Sequence, residues 1–307
     1  MNIAATLWIL FILFYVLGRS ADIVIANIRV MSRRGGLPIG FIGILLGLFT
    51  SLPEMAVGIN ATINGIQAVS VGNLIGGVIV LFGLILGFGI LLHRSITTDG
   101  SVISIAPILL YLMAPIVVGR DALITRWEGV ALVLFYGMVL SLVYRQSAAS
   151  KRATVQAESA AHANIIVTII ALAVMMGTAQ GIVRMTTMLV AYWQIPALVV
   201  GLLLFAIGTN LPEIIVTVRS RQRSLTALSL HTIFGSAIAN VAVLGAIAIL
   251  RPIQISATLS FVTSLGIMAA LVIMVGWFYT SGKRFTASEG VALISLYGLS
   301  VAAQLFF

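Results

Sequence analysis

Cysteine is absent from the 307 residues, so the chain has no disulfide framework and no thiolate metal site, and nothing in it fixes a redox compartment. Charge is nearly as scarce. Lys, Arg, Asp and Glu make up 8% of the residues, where soluble domains carry roughly a quarter. The three aspartates, Asp22, Asp99 and Asp121, and the three histidines, His93, His162 and His231, stand too far apart for a paired-Asp, Ser-His or His-rich metal centre. An intramembrane enzyme such as a protease is therefore not expected. The first apolar run, Asn2 to Gly18, lacks a basic leader and a small-residue cleavage site, and reads as a retained helix rather than a signal peptide.

What the chain does have is apolar sequence. Hydrophobic residues make up 61%, in windows of about 20 residues separated by short polar or Gly/Pro breaks, which is the helical rather than the barrel pattern of a membrane protein. The expectation is an all-α membrane protein of about ten transmembrane helices, near 3–30, 37–61, 68–92, 101–118, 128–144, 163–190, 196–218, 227–250, 257–279 and 288–306. The net charge of +9 points to topology rather than to nucleic acid, because Lys and Arg fall in the breaks. With the N-terminus outside, the cytoplasmic loops hold Arg33, Arg34, Arg94, Arg145, Lys151, Arg152, Arg219, Arg221, Arg223, Lys283 and Arg284. The outer loops hold only Arg120, Arg126 and Arg251, so both termini are expected on the non-cytoplasmic side of a cell inner membrane. The expected partners are cations and the lipid bilayer, and no nucleic acid. Nothing in the sequence sets an oligomeric state.

The chain repeats itself. Thr50-Ser51-Leu52-Pro53-Glu54 returns as Thr209-Asn210-Leu211-Pro212-Glu213, and the halves align without a gap at an offset of 159 residues. Residues 1–145 form the first five-helix repeat, 146–162 a cytoplasmic linker and 163–307 the second repeat. An odd number of spans per half inserts the two in opposite directions, so the repeats are of inverted topology.

Proline has no N–H and clashes with the carbonyl four residues back, so Pro53 frees the carbonyl of Phe49 and Pro212 that of Gly208. Unpaired backbone at membrane depth is tolerated only where it lines a cavity or meets a ligand, and a carboxylate there marks an ion or proton site. A carbonyl, a Thr hydroxyl and a Glu carboxylate are expected to converge from each half, an oxygen-only set suited to Ca2+ or Na+ and not to zinc or copper. Gly47 and Ala206 would let an ion or a helix approach. The plainer reading makes Ser51-x-x-Glu54 and Asn210-x-x-Glu213 helix caps, but leaves a mid-membrane carboxylate without a partner. Downstream, Ser236 and Asn240 stand i, i+4 on one helix face and could reach the same ion or simply pack between helices. Asn60, Asn64 and Asn73 could line a pore, with none singled out. Arg19 and Asp22 are spaced to pair with each other, and His231 could pack as a neutral side chain or relay a proton.

The paired Thr-x-Leu-Pro-Glu and Gly-Ser-x-x-x-Asn blocks resemble the two alpha-repeats of the cation/calcium antiporter superfamily, in its sodium/calcium exchanger branch, over nearly the whole chain. The resemblance implies no cofactor, Ca2+ and Na+ bound alternately at the midplane, and first and sixth helices that slide over the rest. It assigns cation binding to Glu54, Glu213, Thr50, Thr209, Ser51 and Ser236, with the backbone oxygens of Gly47 and Ala206. Asn210 stands where the family has Ser, and Asn240 takes the acidic or amide position. In the first repeat, Gly77 and Leu81 replace the polar pair, so two side-chain ligands are gone. Two carboxylates neutralise one Ca2+ but leave several Na+ ions under-compensated, which points to proton-coupled, single-sodium or otherwise altered exchange. The alternative is a degenerate non-transporting or regulatory paralogue.

Overall fold

The computed structural model describes residues 3–34, 44, 47–149, 165–194, 196–211, 213–214, 217, 226–255 and 258–306. In chain order its helices are α1 Ile3–Arg34, α2 Leu52–Ile63, α3 Gln67–His93, α4 Val102–Val118, α5 Arg126–Ala149, α6 Ile165–Trp193, α7 Ala197–Thr209, α8 Thr226–Leu250, α9 Leu259–Ser281 and α10 Ala287–Phe306. Among the described residues, seven helices (α1, α3, α5, α6, α8, α9 and α10) are long and apolar enough to cross a membrane, and α4 and α7 are shorter apolar helices. The chain is an integral, multi-pass membrane protein. Its helix ends differ from expectation in places: α1 runs on to Arg34, and α5 continues to Ala149, so the expected linker at 146–162 begins as helix. The rest of that linker, Pro212, and the basic positions Arg219, Arg221 and Arg223 lie outside the described residues.

Local chemistry accounts for several helix starts. Thr125 and Glu128 form a reciprocal capping box at α5: Glu128 Oε2 accepts from the Thr125 N–H at 2.8 Å, and Thr125 Oγ1 accepts from the Glu128 N–H at 3.3 Å. Thr286 and Glu289 repeat the first of these bonds at α10, at 2.7 Å. Ser101 and Thr258 cap α4 and α9 by accepting from the N–H three residues on. Two stretches widen to π-helix, Val80–Leu86 within α3 and Gly201–Phe205 within α7.

Short strands, unforeseen from the sequence, tie the halves together. β1 Ser95–Thr97 pairs antiparallel with β4 Arg284–Thr286, with Ile96 opposite Phe285. β2 Leu123–Ile124 pairs antiparallel with β3 Ile253–Gln254. Each clip joins one strand from before residue 145 to one from after residue 163.

Two apolar cores divide the bundle. One is built by α3, α4, α5, α8, α9 and α10, and the other by α1, α6, α2 and part of α7. The span windows of α3 and α8 are each 83% buried, so these are the central helices, while α1 and α6 at 33%, α5 at 28% and α10 at 22% lie at the periphery. Lipid is as apolar as leucine, so close packing rather than water exclusion holds such helices together, and small residues sit where they cross. A Cβ on Gly72 of α3 would lie 2.4 Å from the Leu198 carbonyl, and one on Gly201 of α7 would lie 2.5 Å from that of Val69. Only glycine permits these approaches.

Candidate cation site

The site forms where two helices break. At Ser51 the chain turns with φ −83° and ψ 6°, and at Asn210 with φ −88° and ψ 11°. The two turns, 159 residues apart, share one conformation in the bridge region that follows a helical turn. Pro53 sits in the first turn of α2, where its missing N–H costs nothing, and Glu54 follows it at the positive end of that helix. Each break packs on the central helix of the other half. A Cβ on Gly235 of α8 would lie 3.0 Å from Gly47 Cα, and one on Gly76 of α3 would lie 2.9 Å from Ala206 Cβ. These contacts are related by the same offset, Gly76 to Gly235 and Gly47 to Ala206.

On the first-half side the hydroxyls gather on one carbonyl. Gly47 O accepts from the Ser51 N–H at 3.1 Å, Thr50 Oγ1 at 3.0 Å and Ser51 Oγ at 3.1 Å, with Ser236 Oγ at 3.3 Å. Ser236 Oγ stands 2.6 Å from Thr50 Oγ1 and 3.4 Å from Glu213 Oε1. Ser51 Oγ also reaches the Ser236 carbonyl at 3.3 Å. Ser51 is the N-cap residue of α2 but makes no side-chain cap bond, so the capping reading does not account for its hydroxyl.

The second-half side is arranged differently. Thr209 Oγ1 donates to Phe205 O at 2.9 Å and lies 3.2 Å from Asn73 Oδ1. Asn73 Nδ2 in turn donates to the backbone carbonyl of Glu54 at 3.3 Å. Asn210 Nδ2 donates to Ala206 O at 2.8 Å. A Cβ on Gly77 would lie 2.4 Å from Asn240 Nδ2 and 3.5 Å from Asn210 Nδ2, so amides from the second half lie where a side chain on α3 would go. Leu81, one turn on, is fully buried.

Among the described residues, five oxygens at this junction, Glu54 Oε1 and Oε2, Glu213 Oε2, Asn210 Oδ1 and Asn240 Oδ1, are buried with no hydrogen-bond partner. Glu54 is 1% exposed and Glu213 3%. The two carboxylates lie within electrostatic reach of each other. Leaving such groups unpaired in low dielectric is costly, which makes this junction the candidate cation site.

Relatives carry the same architecture. The pattern described as sodium/calcium exchanger protein matches residues 5–145 and 163–306, both halves of the chain. The chain belongs to the sodium/calcium exchanger protein family. It is 26% identical over 264 residues to an uncharacterized membrane protein of Methanocaldococcus jannaschii, covering 84% of each chain. It is 29% identical over 252 residues to the inner membrane protein YrbG of Escherichia coli, covering 77% of each. Among solved structures, the sodium-calcium exchanger NCX_Mj soaked with Na+ and Ca2+ superposes with a TM-score of 0.70 at 21% identity, covering 98% of this chain and 99% of that one. That likeness shows a common fold. The exchanger family comprises cation antiporters, and transport rather than enzymatic catalysis is its business.

In this member of the exchanger family the sequence-derived residues Gly47, Thr50, Ser51, Glu54, Ala206, Thr209, Asn210, Glu213, Ser236 and Asn240 are brought to one junction of α2, α3, α7 and α8 through the contacts above. The carbonyls of Gly47 and Ala206, expected as ligands, both accept bonds from the protein's own hydroxyl and amide groups in this conformation. Asn73 is the functional candidate that sequence reading left among the unselected asparagines. Its signal was its place one turn before Gly77 on the same face of α3. Asn60 and Asn64 point elsewhere, Asn60 donating to Ala56 O and Asn64 to Asn60 O. Arg19 and Asp22 pair at 3.3 Å, as their spacing predicts.

Proposed function

We propose that this chain is a secondary antiporter that exchanges Ca2+, or a similar cation, for Na+ or H+ by alternating access at one midplane site. The ion is held between Glu54 and Glu213, with Asn210 and Asn240 as neutral oxygen ligands and Thr50, Ser51, Thr209 and Ser236 as hydroxyl ligands. The carbonyls of Gly47 and Ala206 join when the hydroxyl and amide bonds to them are exchanged for bonds to the ion. The observation that carries this reading is the set of five buried oxygens, four of them on two carboxylates and one amide at the two helix breaks, with no hydrogen-bond partner among the described residues. An oxygen-only shell of this kind suits a hard cation, and Ca2+ takes about 6–8 oxygens, water included.

The same reading gives the chain ten spans in two inverted five-helix repeats, residues 1–145 and 163–307, joined by a cytoplasmic linker at 146–162. Both termini lie on the non-cytoplasmic side of the cell inner membrane. The strand clips support the sidedness, because each gathers loops assigned to one face: β1 and β4 lie beside Arg94, Lys283 and Arg284, and β2 and β3 beside Arg120, Arg126 and Arg251. The pairing of α1 with α6 on a separate core supports a pair that slides against a frame.

Purified protein in sealed vesicles should take up radiolabelled Ca2+ against an imposed outward Na+ or H+ gradient. Glu54→Gln and Glu213→Gln should each abolish uptake, and undiminished uptake in both variants would sink the assignment. The competing reading, a non-transporting paralogue, takes its support from Gly77 and Leu81. It predicts no saturable thermal shift with Na+, Ca2+ or pH.

A further inference from the structure

Among the described residues, Glu54 and Glu213 are the only Asp, Glu, His, Lys or Arg side chains in the buried polar set. The described residues contain no group of three His, Cys, Asp or Glu side chains placed to hold a metal ion. Every other side chain at the junction, Thr50, Ser51, Asn73, Thr209, Asn210, Ser236 and Asn240, is neutral. Asp22 also acts on Glu213 through space, but its charge is matched by Arg19 at 3.3 Å, so the formal charge left to balance a cargo is minus two, in surroundings that screen poorly.

The geometry also limits where a further ion could sit. The corner beside residue 77 is taken by the amide nitrogens of Asn240 and Asn210, and Leu81 closes the next turn with carbon. On that side Asn73 and Thr209 already satisfy each other, and Asn73 holds the Glu54 carbonyl. A third monovalent ion would meet amide N–H groups or a leucine, and no unpaired negative charge.

We propose that every loaded state of this site carries two positive charges, one divalent cation in one direction and two monovalent charges in the other, so that the exchange is electroneutral. The two monovalent charges are two Na+, two protons, or one of each. This rests on the antiport reading above and assigns its stoichiometry.

The test uses the full chain in vesicles whose potential is clamped by a K+ gradient and valinomycin. Accumulation of radiolabelled Ca2+ is followed to steady state under fixed Na+ or H+ gradients. One uncompensated charge per cycle moving through about 100 mV would change the accumulation ratio about fifty-fold. The expected result is an accumulation ratio that does not move with the sign or size of the potential, together with two monovalent charges counted per Ca2+. A ratio that follows the potential, or a count of three Na+ per Ca2+, overturns electroneutrality while leaving antiport standing. No uptake under any gradient overturns the antiport reading and this inference with it.

Discussion

The Ser236 hydroxyl lies 2.6 Å from the Thr50 hydroxyl and 3.4 Å from Glu213 Oε1, so one serine of α8 touches the helix breaks of both halves. Ser236→Ala removes those contacts and takes one hydroxyl donor from the Glu213 carboxylate. A neutral hydrogen bond contributes about 1 kcal/mol, and affinity changes tenfold for about 1.4 kcal/mol. Half-saturation for Ca2+ uptake should rise roughly three- to tenfold, with little change in thermal stability. An unchanged half-saturation would show that Ser236 serves helix packing alone.

Position 77 offers a test of packing that does not depend on transport. A serine there would drive its Cβ to 2.4 Å from Asn240 Nδ2. Overpacking of this kind costs about 1–3 kcal/mol. Gly77→Ser should lower the unfolding midpoint in detergent, and adding Asn240→Ala, which withdraws the amide, should restore most of it. If the two changes add independently in a double-mutant cycle, the Asn240 side chain does not occupy that corner.

Outside the spans, Asp99 titrates with a sign that can be worked out. Partial burial pushes its carboxyl upward, but the Ser101 N–H at 2.9 Å and the hydroxyls of Ser104 and Tyr279 outweigh it and hold the group below the usual aspartate range. Its contribution to stability is present above the unfolded value, near 4, and is lost as pH falls through the lower folded value. Asp99→Asn should cost under about 1 kcal/mol at neutral pH, because water screens a mostly exposed group. In acid the variant and the parent should unfold alike. A deficit that persists unchanged at low pH would mean that the carboxylate charge is not what stabilises the loop.

Sequence alone revealed the positions that carry charge, because Pro53 and Glu54 have no ordinary reason to sit in an apolar span and their recurrence at Pro212 and Glu213 is hard to reach by chance. The family followed from those blocks. The strand clips were illegible, since two or three residues are too few to show a period of two, and Leu123-Ile124 looks the same as any apolar pair. Asn73 was passed over because an asparagine in a membrane helix bonds to whatever neighbour the packing supplies, and the neighbour, Thr209, is 136 residues away. At Gly77 the sequence recorded a loss. That the Asn240 amide lies in the resulting space depends on how closely α3 and α8 meet, which no single helix encodes.

The strand clips also bear on how the molecule is made. Neither β1 nor β2 finds a partner within its own half: the first waits for Arg284–Thr286 and the second for Ile253–Gln254. During synthesis the chain before residue 145 is therefore made with both strand edges open. The closing contacts arrive only when the chain is nearly complete, a long-range ordering that leaves those edges exposed to wrong partners. A chain cut short before residue 253 can close neither clip, and quality-control proteases would meet it as two unpaired edges.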